Sequence, residues 1–239
     1  MQSVSTRGRR LGRALALLLS AATSGSALSC ASISVAQARD GLLDGALSSF
    51  SSIRKPSRAQ VLTSGDGTYI GRLLDDRDSV LDRWPDRIGE PIRVWIEPLA
   101  NPADATLFPA AVVSAFDTWA ALGIPVRFRF VQSESDAEVR VRWVSSLANR
   151  TGSTTWRASR DGWLQSGDVT LATHMSSGGA IDARGMRAIA LHEIGHVLGL
   201  SHSDRPHDVM APLVRVTDPS TVDSATVRLL YTFPAGRVR

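Results

Sequence analysis

Cysteine is almost missing from this sequence: Cys30 is the single one among 239 residues. That excludes an intramolecular disulfide framework and a zinc cluster built on thiolates. Acidic residues are missing from the start of the chain, the first being Asp40. A long apolar run is missing as well. The stretch from Ala14 to Ala22 falls far short of the roughly twenty residues that a membrane-spanning helix needs. What remains is ordinary: 43% hydrophobic and 21% charged residues sit near globular averages and exclude a wholly disordered chain. A chain of this length can bury a core without staples.

The amino terminus explains the charge. Arg7, Arg9, Arg10 and Arg13 precede the apolar stretch, and small residues follow as far as Ala36-Gln37-Ala38. A basic region, a short apolar region and an A-x-A end predict a secretory signal peptide over residues 1–38, hence a secreted or periplasmic protein. The alternative is a lipid anchor through Cys30, although Ala27 stands where a lipoprotein signal normally has Leu. The formal net charge is +4. Cleavage after Ala38 removes four arginines and no acid, leaving a formally neutral mature chain. The expectation is therefore no nucleic-acid partner and no stable membrane span.

Residues 39–87 read as a linker or pro-like segment, rich in Ser, Gly and Arg as far as Tyr69. One short helix is expected over Ile70 to Arg83. The main domain is expected over residues 88–234. Alternation predicts strands at Ile92–Ile96, Val126–Phe130, Val139–Trp143, Gly152–Arg157 and Asp168–Thr173. Apolar periodicity predicts helices at Thr106–Leu122, Asp182–Leu200 and Pro219–Tyr231. The alternating arginines of the second and third strands read as the wet face of a sheet. One monomeric domain mixing strands and helices follows.

The chemistry is concentrated in His192-Glu193-Ile194-Gly195-His196-Val197-Leu198-Gly199-Leu200-Ser201-His202, which matches H-E-x-x-H-x-x-G-x-x-H in full. Helical residues four apart share a face, so His192 and His196 can hold one zinc ion. Glu193, next along, can reach a zinc-bound water without ligating the metal. Gly199 lets the helix stop and the chain turn back, so that His202 completes three protein ligands. Three ligands leave a fourth position for water, the arrangement of a catalytic zinc. His207 is the alternative third ligand, beyond the turn at Pro206. His174 reads as a surface residue.

Met210 follows His202 by eight residues, within Asp208-Val209-Met210-Ala211-Pro212. With the eleven-residue motif, this Met-turn and the final helix, the sequence resembles the matrixin-like metzincin zinc peptidases, in their compact bacterial form. The resemblance covers residues from about Ile88 to Pro234. It implies an α+β fold: a twisted, mostly parallel five-stranded sheet with one antiparallel edge strand, packed with about three helices. It also implies that Met210 forms an apolar floor beneath the imidazoles. Gly152–Arg157 becomes the edge strand that pairs with substrate, through Thr154, Thr155 and Trp156. Ala211–Val214, with Pro212 and Leu213, becomes the opposite wall of the specificity pocket.

The sequence departs from that family in its latency device, because its single Cys lies in the export region. Asp75 or Asp76 could cap the zinc instead. His174 is the sole histidine between Arg140 and Asp182, so a second structural zinc is not expected. Asp161, Asp168 and Asp182 are the acids available to calcium, without a dense ligand loop. The expected function is an exported zinc endopeptidase, hydrolysing peptide bonds of protein or peptide substrates by a zinc-activated water with Glu193 as general base. The alternative is a catalytically inactive zinc-containing binding or surface protein.

Overall fold

The computed structural model describes residues 55–101 and 104–239. The expected signal peptide, Cys30 and the beginning of the 39–87 segment lie outside those residues. In chain order the elements are α1 (Arg58–Ser64), α2 (Ile70–Asp76), β1 (Val80–Leu81), β2 (Arg87–Ile96), α3 (Asp104–Ala120), β3 (Val126–Phe130), β4 (Val139–Val144), β5 (Gly152–Ala158), β6 (Leu164–Ala172), α4 (Ala183–Val197), α5 (Thr221–Thr232) and β7 (Gly236–Arg237).

Strands β2 to β6 form one sheet in the order β3-β2-β4-β6-β5, and β1 pairs with β7 in a separate ribbon. β2 runs parallel to β3 and β4, and β4 runs parallel to β6. β5 is antiparallel to β6 and forms the sheet's outer edge. Parallel neighbours need a crossover, and α3 supplies it between β2 and β3. The result is the mostly parallel α+β sheet with an antiparallel edge strand that the sequence predicts.

One face of this sheet is packed and the other is wet. Ile92, Val94, Val139 and Val141 alternate inward and are fully buried, together with Phe116 and Trp119 of α3. On the other face Arg142 meets Asp168 at 3.0 Å and also Glu134. Those ion pairs are exposed enough to be worth little each, so the alternating arginines mainly keep the face solvated.

The described residues contain five α-helices: the three expected between residues 88 and 234, the short one expected from Ile70, and α1 before it. Ser57 and Gln60 form a capping box at the start of α1: each side chain accepts the other's backbone N–H, at 3.2 and 2.8 Å. The box satisfies two amides that the first turn would otherwise leave open. α2 buries Ile70, Leu73 and Leu74. It stops at Asp76 rather than running to Arg83, because Asp78 and Ser79 take φ of 50° and 61° and turn the chain into β1. Trp84 then enters the core with no exposed surface.

Candidate metal centre and cleft

α4 begins where Asp182 accepts the N–H of Gly185 at 2.7 Å, a side-chain cap. Its far end carries the zinc motif. His192 and His196 lie one turn apart on one face, and His202 arrives from the loop beyond, with ligating atoms all within 4.8 Å of one another. The helix ends at Gly199, whose φ of 101° is costly for any residue with a side chain. The Leu200 N–H then returns to the Gly195 carbonyl at 3.0 Å, which ties the exit loop to the helix.

Backbone carbonyls fix the imidazole tautomers. His192 Nδ1 lies 2.8 Å from the Val209 oxygen, and His196 Nδ1 lies 2.9 Å from the Leu200 oxygen. A carbonyl oxygen can only accept, so both Nδ1 atoms carry the proton and both Nε2 atoms present lone pairs. Those Nε2 atoms are 3.2 Å apart, two acceptors facing each other. A tetrahedral zinc with Zn–N bonds of about 2.0–2.1 Å would hold two nitrogens about 3.3 Å apart. The donor set therefore fits zinc. Burial pushes His192 down to about 4 and His196 down to about 3, with the nearby His192 adding to the effect on His196. Both rings are neutral ligands at pH 7.

Glu193 is buried beside the histidines, and burial raises its carboxyl to about 7. Thr154 and Arg150 pull it back down. The Thr154 hydroxyl donates to Glu193 Oε2 at 2.6 Å. Gly152 makes the space: a Cβ there would stand 2.7 Å from both Cγ and Cδ of Glu193. The strand alternation locates β5 in the sequence. It does not reveal that two of its residues serve the carboxylate of another element.

Met210 is fully buried and packs against α4. A Cβ at Gly195 would come within 3.0 Å of Met210 Cε, so the glycine between the two helical ligands is where the methionine seats. The turn itself is tied down by Asp223. Its carboxylate accepts N–H groups from Val209 at 2.8 Å, Met210 at 3.4 Å and Ser220 at 2.8 Å. Tyr69 completes the set with its hydroxyl at 3.1 Å. The Ser203 N–H donates to the Met210 carbonyl at 2.8 Å, joining this turn to the loop that carries His202.

A cleft of about 1110 Å³ opens in front of the histidines, between β5 and the Pro212–Val214 wall. Thr154, Trp156, Pro212 and Leu213, four of the residues expected to meet substrate, line it. Thr155 does not; it is exposed and alternates away from the cleft. His207 and His174 are exposed and stand outside the metal-ligating group. Asp75 pairs with Arg58 and Asp76 lines the cleft, and neither belongs to that group. Of the acids considered for calcium, Asp168 is paired with Arg142 and Asp182 caps α4. Among the described residues, the three imidazoles are the group gathered for a metal.

The family model for Matrixin matches residues 92–232. This chain belongs to the matrixin family. Matrixins bind zinc, and the matched stretch contains the three histidines, Glu193 and Met210. The chain is also similar to Metalloendoproteinase 1 of Glycine max, with 28% identity over 145 residues, covering 52% of this chain and 45% of that relative. It thus spans less than half the length of this relative. The segment carrying α1, α2 and β1 precedes the matrixin match. Among the described residues, no helix is long and apolar enough to cross a membrane.

Proposed function

We propose that this matrixin is a zinc-dependent endopeptidase, exported from the cell, that cleaves extended protein or peptide segments in the cleft beside β5. One observation carries the reading: a buried carboxylate, Glu193, is clamped by Thr154 beside three convergent imidazole ligands. Export rests on the basic, apolar and small-residue pattern of residues 1–38.

His192, His196 and His202 would hold one zinc ion, which supplies Lewis acidity and lowers the pKa of a bound water toward about 7. Glu193 then does the proton work. Thr154 holds Oε2, so one carboxylate oxygen is fixed while the group accepts a proton from the attacking water. The same carboxyl delivers that proton to the departing amine. Burial raises this carboxyl to about 7, which supports a group that takes up and returns a proton near neutral pH. β5 is an antiparallel edge, and an extended substrate can add to it by main-chain hydrogen bonds. Trp156 and the Pro212–Val214 wall flank the substrate on either side. We further assign residues 58–86 to the working peptidase unit, because their side chains are part of its core.

A denatured protein substrate tests the reading. The mature protein should cleave it, a zinc chelator should stop the reaction, and Glu193→Ala should lower the rate at least about 100-fold, the scale of general-base catalysis. Undiminished hydrolysis by metal-loaded Glu193→Ala protein would remove Glu193 from its assigned role.

A further inference from the structure

Four ionised side chains besides the centre line the cleft, and two of them, Arg77 and Asp182, are held by bonds of their own, which leaves Asp76 and Arg150 as an unpaired acid and an unpaired base. At one end, Trp156 of β5 is covered by the Arg77 guanidinium, 4.7 Å from the ring centroid. Arg77 is itself occupied, donating to Asp82 at 3.3 Å and to the Leu200 carbonyl at 3.2 Å. Its neighbour Asp76 is exposed and lines the cleft mouth. At the other end Arg150, two residues before the start of β5, is exposed and also lines the cleft. Among the described residues, neither Asp76 nor Arg150 has a side-chain hydrogen bond or ion pair.

The direction of the substrate makes this asymmetry informative. β5 runs from Gly152, at the Arg150 end, to Ala158, beyond Trp156. A peptide added antiparallel enters with its N-terminal side beside Trp156 and Asp76 and leaves with its C-terminal side beside Arg150. Thr154, bonded to Glu193, marks the level of the scissile bond. Trp156 lies two residues further along, about 7 Å at the usual strand rise. Arg150 lies on the opposite side of that mark.

We propose that Asp76 and Arg150 read substrate charge along the cleft: Asp76 takes a basic side chain before the scissile bond, and Arg150 takes a carboxylate after it. The favoured substrates are then extended segments that change from basic to acidic across the cleaved bond. This rests on the endopeptidase reading for its direction. It goes beyond that reading in naming a substrate class and two specificity residues, one of them outside the stretch that matches the family.

Three blocked peptides with one shared central sequence test it. The first has Lys about three places before the bond and Glu about three after, the second exchanges them, and the third has Gln at both places. Exposed ion pairs are weak, so each favourable charge should raise kcat/KM about 2- to 5-fold, in KM more than kcat. The order expected is Lys–Glu, then Gln–Gln, then Glu–Lys, with the spread shrinking in high salt. Arg150→Glu should reverse the preference after the bond alone, and Asp76→Lys the preference before it alone. Binding of the same peptides to zinc-loaded Glu193→Ala protein, read by fluorescence anisotropy, should follow the same order.

Equal cleavage of all three peptides, or unchanged preferences in the charge-reversal variants, overturns the proposal while leaving the endopeptidase reading standing. Ordered binding without any cleavage by the wild type keeps the charge assignment and removes the peptidase. Neither binding nor cleavage removes both. A reversed order, with Glu–Lys best, overturns the assignment of the two ends.

Discussion

The segment that gathers the metal and the segment that braces it are built in opposite ways. Residues 192–210 place three convergent imidazoles, the buried Glu193 and the buried Met210 within one helix end and its return loop, so their geometry is almost wholly local. Residues 58–86 are two seven-residue helices and a two-residue strand, too short to be stable alone. They gain their order by packing on the far end of α4. The Trp84 indole donates to the Val197 carbonyl at 2.8 Å, and Arg77 to the Leu200 carbonyl. The Asp82 carbonyl lies against Gly199, where any side chain would collide with it. The chemistry is thus local in sequence and its support is distant. The carbonyls left open at a helix end are where the two meet.

The largest effect should come from disturbing the local segment without touching a ligand. Gly152→Ala puts a methyl group into the volume of the Glu193 side chain. The carboxylate must move, and a displacement of about 1 Å at a reacting group can cost on the order of 100-fold in rate. Expected is a loss of that size in kcat, with stoichiometric zinc binding retained, since the added methyl group meets the Glu193 side chain first. Zinc content by atomic absorption beside steady-state kinetics checks it. A wild-type kcat would show that Glu193 is not confined by β5.

The distant segment should fail differently. Trp84→Ala removes a fully buried indole and should cost about 3–5 kcal/mol of stability, as large aromatic truncations do. Trp84→Phe keeps most of the packing and loses the hydrogen bond to Val197, so a smaller loss is expected, from the missing donor and the smaller ring. Urea unfolding of the two variants measures both. If residues 58–86 were a detachable arm, both variants would unfold like the wild type.

Much of the local segment was legible because spacing is geometry on a helix. Two histidines four apart, a glycine and a third histidine dictate a closed set of ligands, and the structure brings His192, His196 and His202 together. Strand alternation located β5, and the sheet follows the expected pattern. The distant contacts left no local trace. Trp84 and Val197 are 113 residues apart, and neither residue type announces the other. Thr154 lines the cleft and its hydroxyl also holds Glu193; alternation gives a face and not a partner, so the second contact leaves no trace in the sequence. Gly152 reads as a weak strand residue until the carboxylate it admits is seen. One local signal is present ahead of the expected helix: Ser57 and Gln60 are spaced as a capping box, which marks the start of α1.

Acid should separate the two regions more gently. Two ion pairs of the bracing segment, Arg58–Asp75 and Arg72–Asp204, involve well-exposed side chains and contribute little at any pH; Arg77–Asp82 is more enclosed. The metal-gathering segment holds buried groups with displaced titrations. In the metal-free protein His192 and His196 fall from 6.5 to about 4 and about 3. Between pH 6.5 and those values the unfolded chain therefore binds more protons, and stability declines as pH falls. Glu193, raised from 4.5 to about 7, works the other way: the folded state holds its proton first, so this group adds stability as pH falls through 7. Two imidazoles outweigh one carboxyl, and a net loss on the order of 1–2 kcal/mol is expected between pH 7 and pH 5, at about 1.4 kcal/mol per pKa unit. Zinc should steepen the loss, because protons displace it from the imidazoles. Urea midpoints of metal-free protein at the two pH values measure the balance, and His192→Gln should flatten it. A metal-free midpoint that rises on acidification would mean that Glu193, not the histidine pair, dominates the buried charge.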